Sequence, residues 1–208
     1  MSLKSAIVRQ FRKPLGPIGA LAGHIMARRS SNRIRNARTV ELMELQPGSR
    51  VLEIGFGPGL ALTQCAARVT KGRVVGIDHS PVMTRQAQER LRRVGQANRV
   101  DLHVGGVECL IDWPRGFDRV YSLNVIQFIG DKASYYRRVF DALDTDGMCF
   151  TTYQPRLDND DPNGAERMAD EIEAMMNDVG FQKITRTGIS AGATPAVCVS
   201  GTKLPAAS

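Results

Sequence analysis

A glycine-rich turn between two acidic residues has the residue types and spacing that could do chemistry. Residues 51–60 read Val-Leu-Glu-Ile-Gly-Phe-Gly-Pro-Gly-Leu, an apolar run that leads into three alternate glycines. Gly55, Gly57 and Gly59 allow the backbone to turn tightly and a ligand to approach the main chain at a helix N-terminus. The carboxylate of Glu53, at the end of the apolar run, repels a pyrophosphate but suits a ligand that carries positive charge.

The glycine spacing argues against two common phosphate-binding loops. A dinucleotide fingerprint has its third glycine three residues after the second, where this chain has Leu60, and no Gly-Lys-Ser or Gly-Lys-Thr follows as in a P-loop. Asp78 ends a second apolar run nineteen residues after Gly59, where a carboxylate can accept hydrogen bonds from both hydroxyls of a ribose. The pattern therefore indicates a ligand with a ribose and a positive charge.

Alternating apolar and amphipathic segments predict the elements that position these residues. From residue 50 onward the alternation is typical of strands and helices around a mostly parallel sheet, with Ser80 and Pro81 as the cap and first turn of a helix. A further helix is followed by two β-rich segments, which we expect to add a hairpin to one edge of the sheet. The predicted strands are 50–54, 73–77, 99–104, 117–123, 147–153, 181–189 and 195–203, and the predicted helices are 59–69, 80–94, 132–144 and 165–178.

Composition limits the class of protein. The 208 residues are 42% hydrophobic and 24% charged, which fits one folded domain and excludes a disordered or fibrous chain. No uncharged run reaches the roughly 18 to 20 residues of a membrane span, and the run at 14–27 is broken by prolines and glycines, so we expect no membrane span. The cysteines lack the paired spacing of zinc or redox sites, and we interpret them as reduced core residues of a cytoplasmic protein that needs no metal. They are Cys65, Cys109, Cys149 and Cys198.

Positive charge is concentrated in an N-terminal arm. The formal net charge is +7, and residues 1–40 contain nine basic residues and no acid. Leu3, Ile7 and Phe11 have the spacing of one helical stripe. We divide the chain into a basic helical arm or lid at 1–38 and a folded domain at 39–208. The arm has three interpretations: a lid docked on the domain, a segment that contacts an anionic membrane surface, and a mitochondrial transit peptide.

Several motifs resemble those of the class I S-adenosylmethionine-dependent methyltransferases. Residues 53–59 match the pattern E-x-G-x-G-x-G, and Asp78, Ser80 and Met83 match D-x-S-x-x-M. Later family blocks are similar to residues 117–128 and 143–147, and the resemblance covers about residues 36–203. It implies an α/β, doubly wound, mostly parallel seven-stranded sheet of the Rossmann-like methyltransferase type, with the last strand antiparallel. It also implies that the domain at 39–208 binds S-adenosyl-L-methionine at the carboxyl ends of the strands.

The resemblance implies roles for individual residues. Glu53 and the glycine loop would hold the methionine end of the cofactor, and Asp78 would hold the ribose. His79 and Met83 would flank the adenine. Many members carry an aspartate that contacts the adenine amino group, but this chain has Gly106 at that position. We therefore expect the Val107 backbone amide or Glu108 to replace the contact, and we add Asn124 to the cofactor-binding residues.

Methyl transfer from a sulfonium is an in-line displacement. The protein must chiefly align the acceptor with the methyl carbon and exclude water, so the sequence assigns no catalytic base. Asn124 and Gln127 follow the fourth strand and are candidates for orienting a substrate. Tyr153, at the end of the fifth strand, is a third candidate, and His24 would reach the site only if the arm folds over it.

The acceptor class is narrowed by the residues after the fourth strand. Enzymes that methylate a nucleobase amine typically resemble Asn-Pro-Pro-Tyr or Asp-Pro-Pro-Tyr there, whereas residues 124–127 read Asn-Val-Ile-Gln. The domain without its arm is nearly neutral, which also argues against nucleic acid as a partner. We predict a small-molecule acceptor, followed by a phospholipid or other membrane-bound acceptor and then by RNA or protein bound through the arm. Deletion of residues 1–38 should leave a folded domain with poor turnover.

Overall fold

The computed structural model describes residues 30–112, 116–155 and 163–205, and elements are numbered within these ranges. The α-helices are α1 (Ser30–Leu42), α2 (Leu60–Arg68), α3 (Pro81–Arg93), α4 (Lys132–Ala142) and α5 (Gly164–Val179). The strands are β1 (Arg50–Ile54), β2 (Arg73–Asp78), β3 (Val100–Val104), β4 (Phe117–Leu123), β5 (Leu143–Tyr153), β6 (Gln182–Ile189) and β7 (Ala196–Thr202). Short 3-10 segments cover Ala97–Arg99, Val107–Asp112 and Ile126–Phe128. None of the helices in these ranges is long and apolar enough to cross a membrane.

The strands form one mixed sheet in the order β3-β2-β1-β4-β5-β7-β6. Strands β1 to β5 pair in parallel, and β7 is antiparallel to both of its neighbours. The predicted fold class, with its antiparallel last strand and its added edge hairpin, is confirmed. Because parallel strands need crossover connections, helices cover both faces of the sheet and both faces are buried.

Two apolar cores lie on opposite faces of the sheet. The successive side chains of β1 alternate between them, with Val51 on one face and Leu52 and Ile54 on the other. The helices α1, α2 and α3 cover the first face, and α4 and α5 cover the second. The first core includes Val40, Leu62, Leu91 and Tyr121, and the second includes Tyr136, Val139, Ile172 and Met176.

Strand β5 begins earlier than predicted. Helix α4 ends at Ala142, and β5 starts at Leu143, whereas the sequence predicted a helix to 144 and a strand from 147. The pairing of β4 with β5 shifts register between Phe117 and Arg119, and Asp146 adopts a φ of 62°. The Asp-Gly turn signal at 146–147 therefore marks an irregularity within a strand, because the chain resumes regular pairing only after that step.

Helix α1 runs over the first face of the sheet from the carboxyl ends of the parallel strands toward their amino ends. Near its start, Ser31 lies against Gly192 in the loop between β6 and β7, at the edge where the parallel strands end. Just after its end, the carbonyl of Met43 accepts a hydrogen bond of 2.9 Å from Nε of Arg119, near the start of β4. The predicted division between residues 38 and 39 falls inside this helix. Residues 1–29, with the stripe of Leu3, Ile7 and Phe11, lie outside the described ranges.

Candidate functional site

The candidate site lies where the sheet changes its winding direction. Strands β1 and β4 are neighbours, and the helices that follow them, α2 and α4, pack on opposite faces of the sheet. The chain therefore leaves a crevice outside the carboxyl ends of these strands, which is where open α/β sheets bind ligands.

The glycine loop joins β1 to α2 in this crevice. Gly55, Gly57 and Gly59 have φ values of 73°, 53° and 78°, a region that side chains disfavour. A Cβ at Gly59 would lie 2.8 Å from Cβ of Ala87, so α3 packs directly on the loop. A Cβ at Gly57 would have no atom of the described residues within 4 Å, so the described part of the chain leaves open space at the loop backbone, where a ligand can approach it closely.

Asp78 ties the end of β2 to the glycine loop. Its Oδ2 accepts a hydrogen bond of 2.8 Å from the backbone N–H of Gly57, and its Oδ1 accepts one of 2.8 Å from that of Ser80. Burial raises the pKa of this carboxyl, and the two backbone hydrogen bonds partly offset that shift. Each oxygen has a further lone pair, so Asp78 can hold the loop and still accept hydrogen bonds from a ligand.

Glu53 is almost fully buried at the end of β1. Its Oε2 accepts a hydrogen bond of 2.7 Å from the hydroxyl of Tyr121 on β4, and Sγ of Cys65 lies 3.3 Å from the same hydroxyl. Burial raises the pKa of Glu53 to about 8, the hydrogen bond from Tyr121 opposes that shift, and the charge of Asp78 adds to it. A cationic group placed beside Glu53 would therefore convert a poorly solvated carboxyl into a stable anion.

Four residues predicted to contact an adenine follow β2 and β3. Met83 is buried in the first turns of α3, and His79 is about half exposed, with Nδ1 3.7 Å from Oδ1 of Asp78. Val107 is half-buried and Glu108 is exposed, both in the 3-10 segment after β3. A side chain at Gly106 would collide with the carboxylate of Glu108, which therefore occupies the space where an aspartate at 106 would begin.

The carboxyl ends of β4 and β5 are joined by a hydrogen-bonded network. Asn124, with a φ of 54°, accepts a hydrogen bond of 2.7 Å from the backbone N–H of Gln154 through Oδ1. Its Nδ2 donates to the carbonyl of Gln154 at 3.2 Å. Nε2 of Gln127 donates to the carbonyl of Asn124 at 2.9 Å, and the buried Oε1 of Gln127 has no hydrogen-bond partner among the described residues.

The other two candidates for substrate contact are Tyr153 and His24, and only Tyr153 lies among the described residues. The side chain of Tyr153 is buried in the core beneath α4 and α5, where it packs with apolar residues. His24 lies outside the described residues. The structure thus brings Asn124 and Gln127 together at the sheet edge, but Tyr153 points into the core.

Sequence reasoning missed three residues of this region: Arg35, Tyr121 and Gln154. Gln154 is buried, and its Nε2 donates to the carbonyls of Ala191 and Thr194 at 3.1 and 2.8 Å. Its Oε1 accepts a hydrogen bond of 2.8 Å from Nη1 of Arg35 in α1. The position of Gln154 directly after a predicted strand was the one available signal, since nothing local marks the partner of a buried arginine or tyrosine.

The described residues hold no group of three or more His, Cys, Asp or Glu side chains that could bind a metal ion. All four cysteines are free, and burial raises the pKa of Cys65 and of Cys149 to about 12. Thiols that stay protonated in an apolar core are poor nucleophiles, so these two cysteines contribute packing.

Comparison with known proteins agrees with this arrangement. The family described as "Methyltransferase domain" matches residues 51–147, which include the glycine loop and Asp78. The uncharacterized methyltransferase YdaC of Bacillus subtilis (strain 168) is 29% identical over 164 residues, which cover 79% of this chain and 87% of YdaC. Aklanonic acid methyltransferase DauC of Streptomyces sp. (strain C5) is 34% identical over 117 residues, and the match covers 55% of this chain and 53% of DauC.

A solved structure shows the same fold. The crystal structure of a SAM-dependent methyltransferase from Aquifex aeolicus superimposes with a TM-score of 0.71 at 15% identity, over 89% of this chain and 98% of that protein. The glycine loop with its two carboxylates, the seven-stranded topology and the matched family domain all lead to one conclusion. The chain contains a methyltransferase domain, and it is similar in fold to the class I S-adenosylmethionine-dependent methyltransferases.

Proposed function

We propose that this methyltransferase transfers the methyl group of S-adenosyl-L-methionine to a small-molecule acceptor by in-line displacement. The observation that carries the proposal is the enclosed acceptor edge of the crevice, where Asn124, Gln127 and Gln154 are half-buried or buried and joined by hydrogen bonds. Side chains held inside the protein contact a ligand that enters the crevice, which suits a small acceptor. The bound cofactor supplies an electrophilic methyl group on a positively charged sulfur.

The described residues fit this cofactor. Glu53 would accept hydrogen bonds from a cationic group of the methionine end, because its buried carboxyl becomes a stable anion only beside positive charge. The open space at Gly57 would let the cofactor approach the main chain of the loop closely. Asp78 would hold the ribose hydroxyls through the lone pairs that Gly57 and Ser80 leave free.

The adenine would lie between the ends of β2 and β3. His79 and Met83 would flank its ring, and the Val107 amide or the Glu108 carboxylate would contact its amino group. The position of the Glu108 carboxylate, in the space of a side chain at 106, supports the second of these contacts. Asn124 would complete the cofactor site near the methionine end.

The acceptor would lie over the carboxyl ends of β4 and β5. Asn124 and Gln127 would orient it, and the unpartnered Oε1 of Gln127 is an acceptor that a ligand N–H or O–H could satisfy. Tyr153 lies at the end of β5, directly before Gln154, and would support this region from the core without touching the acceptor. A small acceptor is also consistent with DauC, which is named for its action on aklanonic acid.

The sequence predicted an arm or lid at residues 1–38 and a methyltransferase domain at 39–208; we propose that the part of this arm before α1 forms a lid over the crevice, and that α1 belongs with the domain. The start of α1 beside the loop between β6 and β7 supports this proposal, because the chain before Ser30 joins the domain at the carboxyl-end edge of the sheet. His24 would then be close enough to contact the acceptor. Contact of the arm with a membrane surface is the competing proposal, motivated by the apolar stripe of Leu3, Ile7 and Phe11.

Methyl-labelled S-adenosylmethionine tests the acceptor class directly. The protein is incubated with the labelled cofactor and an extract of the organism that encodes it, and the label is then partitioned among small aqueous, lipid and macromolecular fractions. We expect label in small molecules. Label in phospholipid would favour the membrane-bound acceptor, and label in RNA or protein would overturn the small-molecule proposal.

A further inference from the structure

Arg35 in α1 is a buried arginine without a carboxylate partner among the described residues. Its residue exposure is 6%, and its one described side-chain hydrogen bond runs from Nη1 to the neutral amide of Gln154. The buried Nε finds no hydrogen-bond partner within the part of the chain that the structure describes. By contrast, the exposed Arg38 pairs with Glu41 one turn further along the same helix.

Such an arrangement is costly for the fold. An ionised group without a counter-charge loses its hydration on burial, and an unpaired buried N–H adds a further penalty. Burial lowers the pKa of Arg35 to about 10, so the guanidinium still carries its charge at neutral pH. A positive charge kept inside a protein at this cost favours a role in binding an anion.

The position of Arg35 places that anion at the carboxyl-end edge of the sheet. Gln154 holds the guanidinium on one side and the loop carbonyls of Ala191 and Thr194 on the other. The backbone of Gln154 is bonded to Asn124, and Asn124 is bonded to Gln127. The network therefore has an unpartnered donor at Arg35 and an unpartnered acceptor at Gln127, both near the crevice.

We propose that Arg35 binds a ligand carboxylate in the methyltransferase crevice. The guanidinium offers parallel N–H donors that match the two oxygens of a carboxylate, and Nε is one donor of that pair. The inference rests on the proposed function, which offers two sources of this chemistry. One is the amino-acid end of the cofactor, and the other is an acidic acceptor.

Substitution of Arg35 by methionine separates the two sources, with Arg38→Met as the matched control on the exposed side of α1. Binding of S-adenosylhomocysteine and of 5′-methylthioadenosine, which lacks the amino-acid end, is measured by titration calorimetry. If the cofactor supplies the carboxylate, Arg35→Met should lower the affinity for S-adenosylhomocysteine by about tenfold or more, because charge-assisted hydrogen bonds are lost. The affinity for methylthioadenosine should stay within about twofold of the wild-type value. Arg38→Met should change neither.

If the acceptor supplies the carboxylate, both nucleosides bind Arg35→Met as they bind the wild type. Label transfer from S-adenosylmethionine into extract metabolites retained on an anion exchanger should then fall by about tenfold or more, through KM more than through kcat. Wild-type protein that binds S-adenosylhomocysteine but labels no fraction would refute the proposed function, and the comparison of the two nucleosides would still test Arg35.

Three results would overturn the proposal. The first is an equal loss of affinity for both nucleosides in Arg35→Met, which indicates a structural role. The second is unchanged binding and unchanged labelling. Residues 156–162, outside the described ranges, contain the acids Asp158, Asp160 and Asp161. The third result is a triple variant Asp158→Asn, Asp160→Asn and Asp161→Asn that reproduces the effects of Arg35→Met, since the carboxylate partner would then belong to the chain.

The thermal stability of the variants controls for misfolding. Removal of an unpaired buried charge should leave the thermal midpoint of Arg35→Met near or above that of the wild type. If this variant does not fold, Arg35→Lys provides the same comparison, because it keeps the charge but lacks Nε and should show a smaller loss of carboxylate binding. Wild-type ligand binding by Arg35→Lys together with an unfolded Arg35→Met would overturn the proposal.

Discussion

Asp78 and Glu53 are carboxylates at the carboxyl ends of the neighbouring strands β2 and β1, beside the same glycine loop, yet their hydrogen-bond partners differ. Asp78 accepts hydrogen bonds from two backbone N–H groups, whereas Glu53 accepts one from the side chain of Tyr121. Asp78 therefore shapes the loop and is also proposed to hold a ribose. Glu53 is less well solvated, and its ionisation should depend strongly on what lies beside it.

Replacement of Asp78 by alanine should weaken cofactor binding by about 1.5 to 3 kcal/mol, the usual worth of hydrogen bonds to a charged group. Titration with S-adenosylhomocysteine measures the loss, and far-UV circular dichroism reports whether the fold is retained. Asp78→Asn is the matched control, because its amide keeps one acceptor and should lose less affinity. Unchanged affinity in Asp78→Ala would refute the ribose assignment.

The ionisation of Glu53 should make stability depend on pH. Its pKa is about 8 in the folded protein and 4.5 without the influence of the fold, so the folded state binds the extra proton between these values. The stabilisation by this proton is complete below about pH 4.5 and is lost as the pH rises through about 8. The free energy of unfolding should fall across this range by on the order of 3 kcal/mol more than in Glu53→Gln.

Urea unfolding of wild type and Glu53→Gln at about pH 5.5 and pH 8.5 measures this difference. The glutamine variant keeps the shape of the side chain but cannot ionise, so it removes the contribution of Glu53 alone. Parallel profiles in the two proteins would contradict the buried, protonated carboxyl. Tyr121→Phe should raise the pKa of Glu53 further, because it removes the hydroxyl that donates to the anion.

At the scale of elements, the glycine loop serves two purposes at two positions. Gly59 lets α2 and α3 approach closely, since a Cβ there would press on Ala87 in α3. Gly57 has open space in place of such a neighbour, so its backbone remains free for a ligand. The loop therefore packs the helices at one residue and exposes the main chain at another.

Alanine substitutions should separate these purposes. Gly59→Ala should destabilise the fold by about 2 kcal/mol or more, because it adds a close contact to a left-handed backbone conformation. Gly57→Ala should cost about 1 kcal/mol of stability, from the backbone conformation alone, but should strongly weaken S-adenosylhomocysteine binding. Chemical denaturation and calorimetry measure the two effects. Gly48→Ala, where the added Cβ meets no atom within 4 Å, is the control for both.

At the scale of the whole molecule, α1 links the N-terminal segment to the catalytic edge. Thr39 and Val40 are fully buried in the domain, and Oγ1 of Thr39 lies 2.8 Å from Oγ1 of Thr152 on β5. This helix therefore belongs to the packed body of the protein across the proposed division at residue 38. A truncation that preserves the body should end before Ser30.

Deletion of residues 1–29 should leave a folded protein that binds S-adenosylhomocysteine and shows at least about tenfold lower turnover, as expected when a lid is lost. Deletion of residues 1–38 also removes most of α1 with Arg35, and should lower the free energy of unfolding by on the order of 2 kcal/mol relative to the shorter truncation. Urea unfolding and label transfer test both variants. Full activity after deletion of residues 1–29 would exclude the lid.

From residue 50 onward, the sequence by itself determined the order of strands and helices, the glycine loop and the position of Asp78 at the end of a strand. These features depend on periodicities of two and 3.6 residues and on backbone rules that act within a few positions, so they are visible in a single chain. Ser80 shows the same: its Oγ accepts a hydrogen bond from the N–H of Met83, as the Ser-Pro cap predicted. The cofactor residues proposed from the family resemblance remain predictions.

Only the tertiary structure decided which distant residues meet. Arg35 and Gln154 are 119 positions apart, and Glu53 and Tyr121 are 68 apart. No local pattern relates such residues, because their contact depends on how α1 crosses the sheet and on the register of β1 against β4. Tyr153 also depends on tertiary structure. Its position in the sequence indicated the crevice, but the packing of β5 places its side chain in the core.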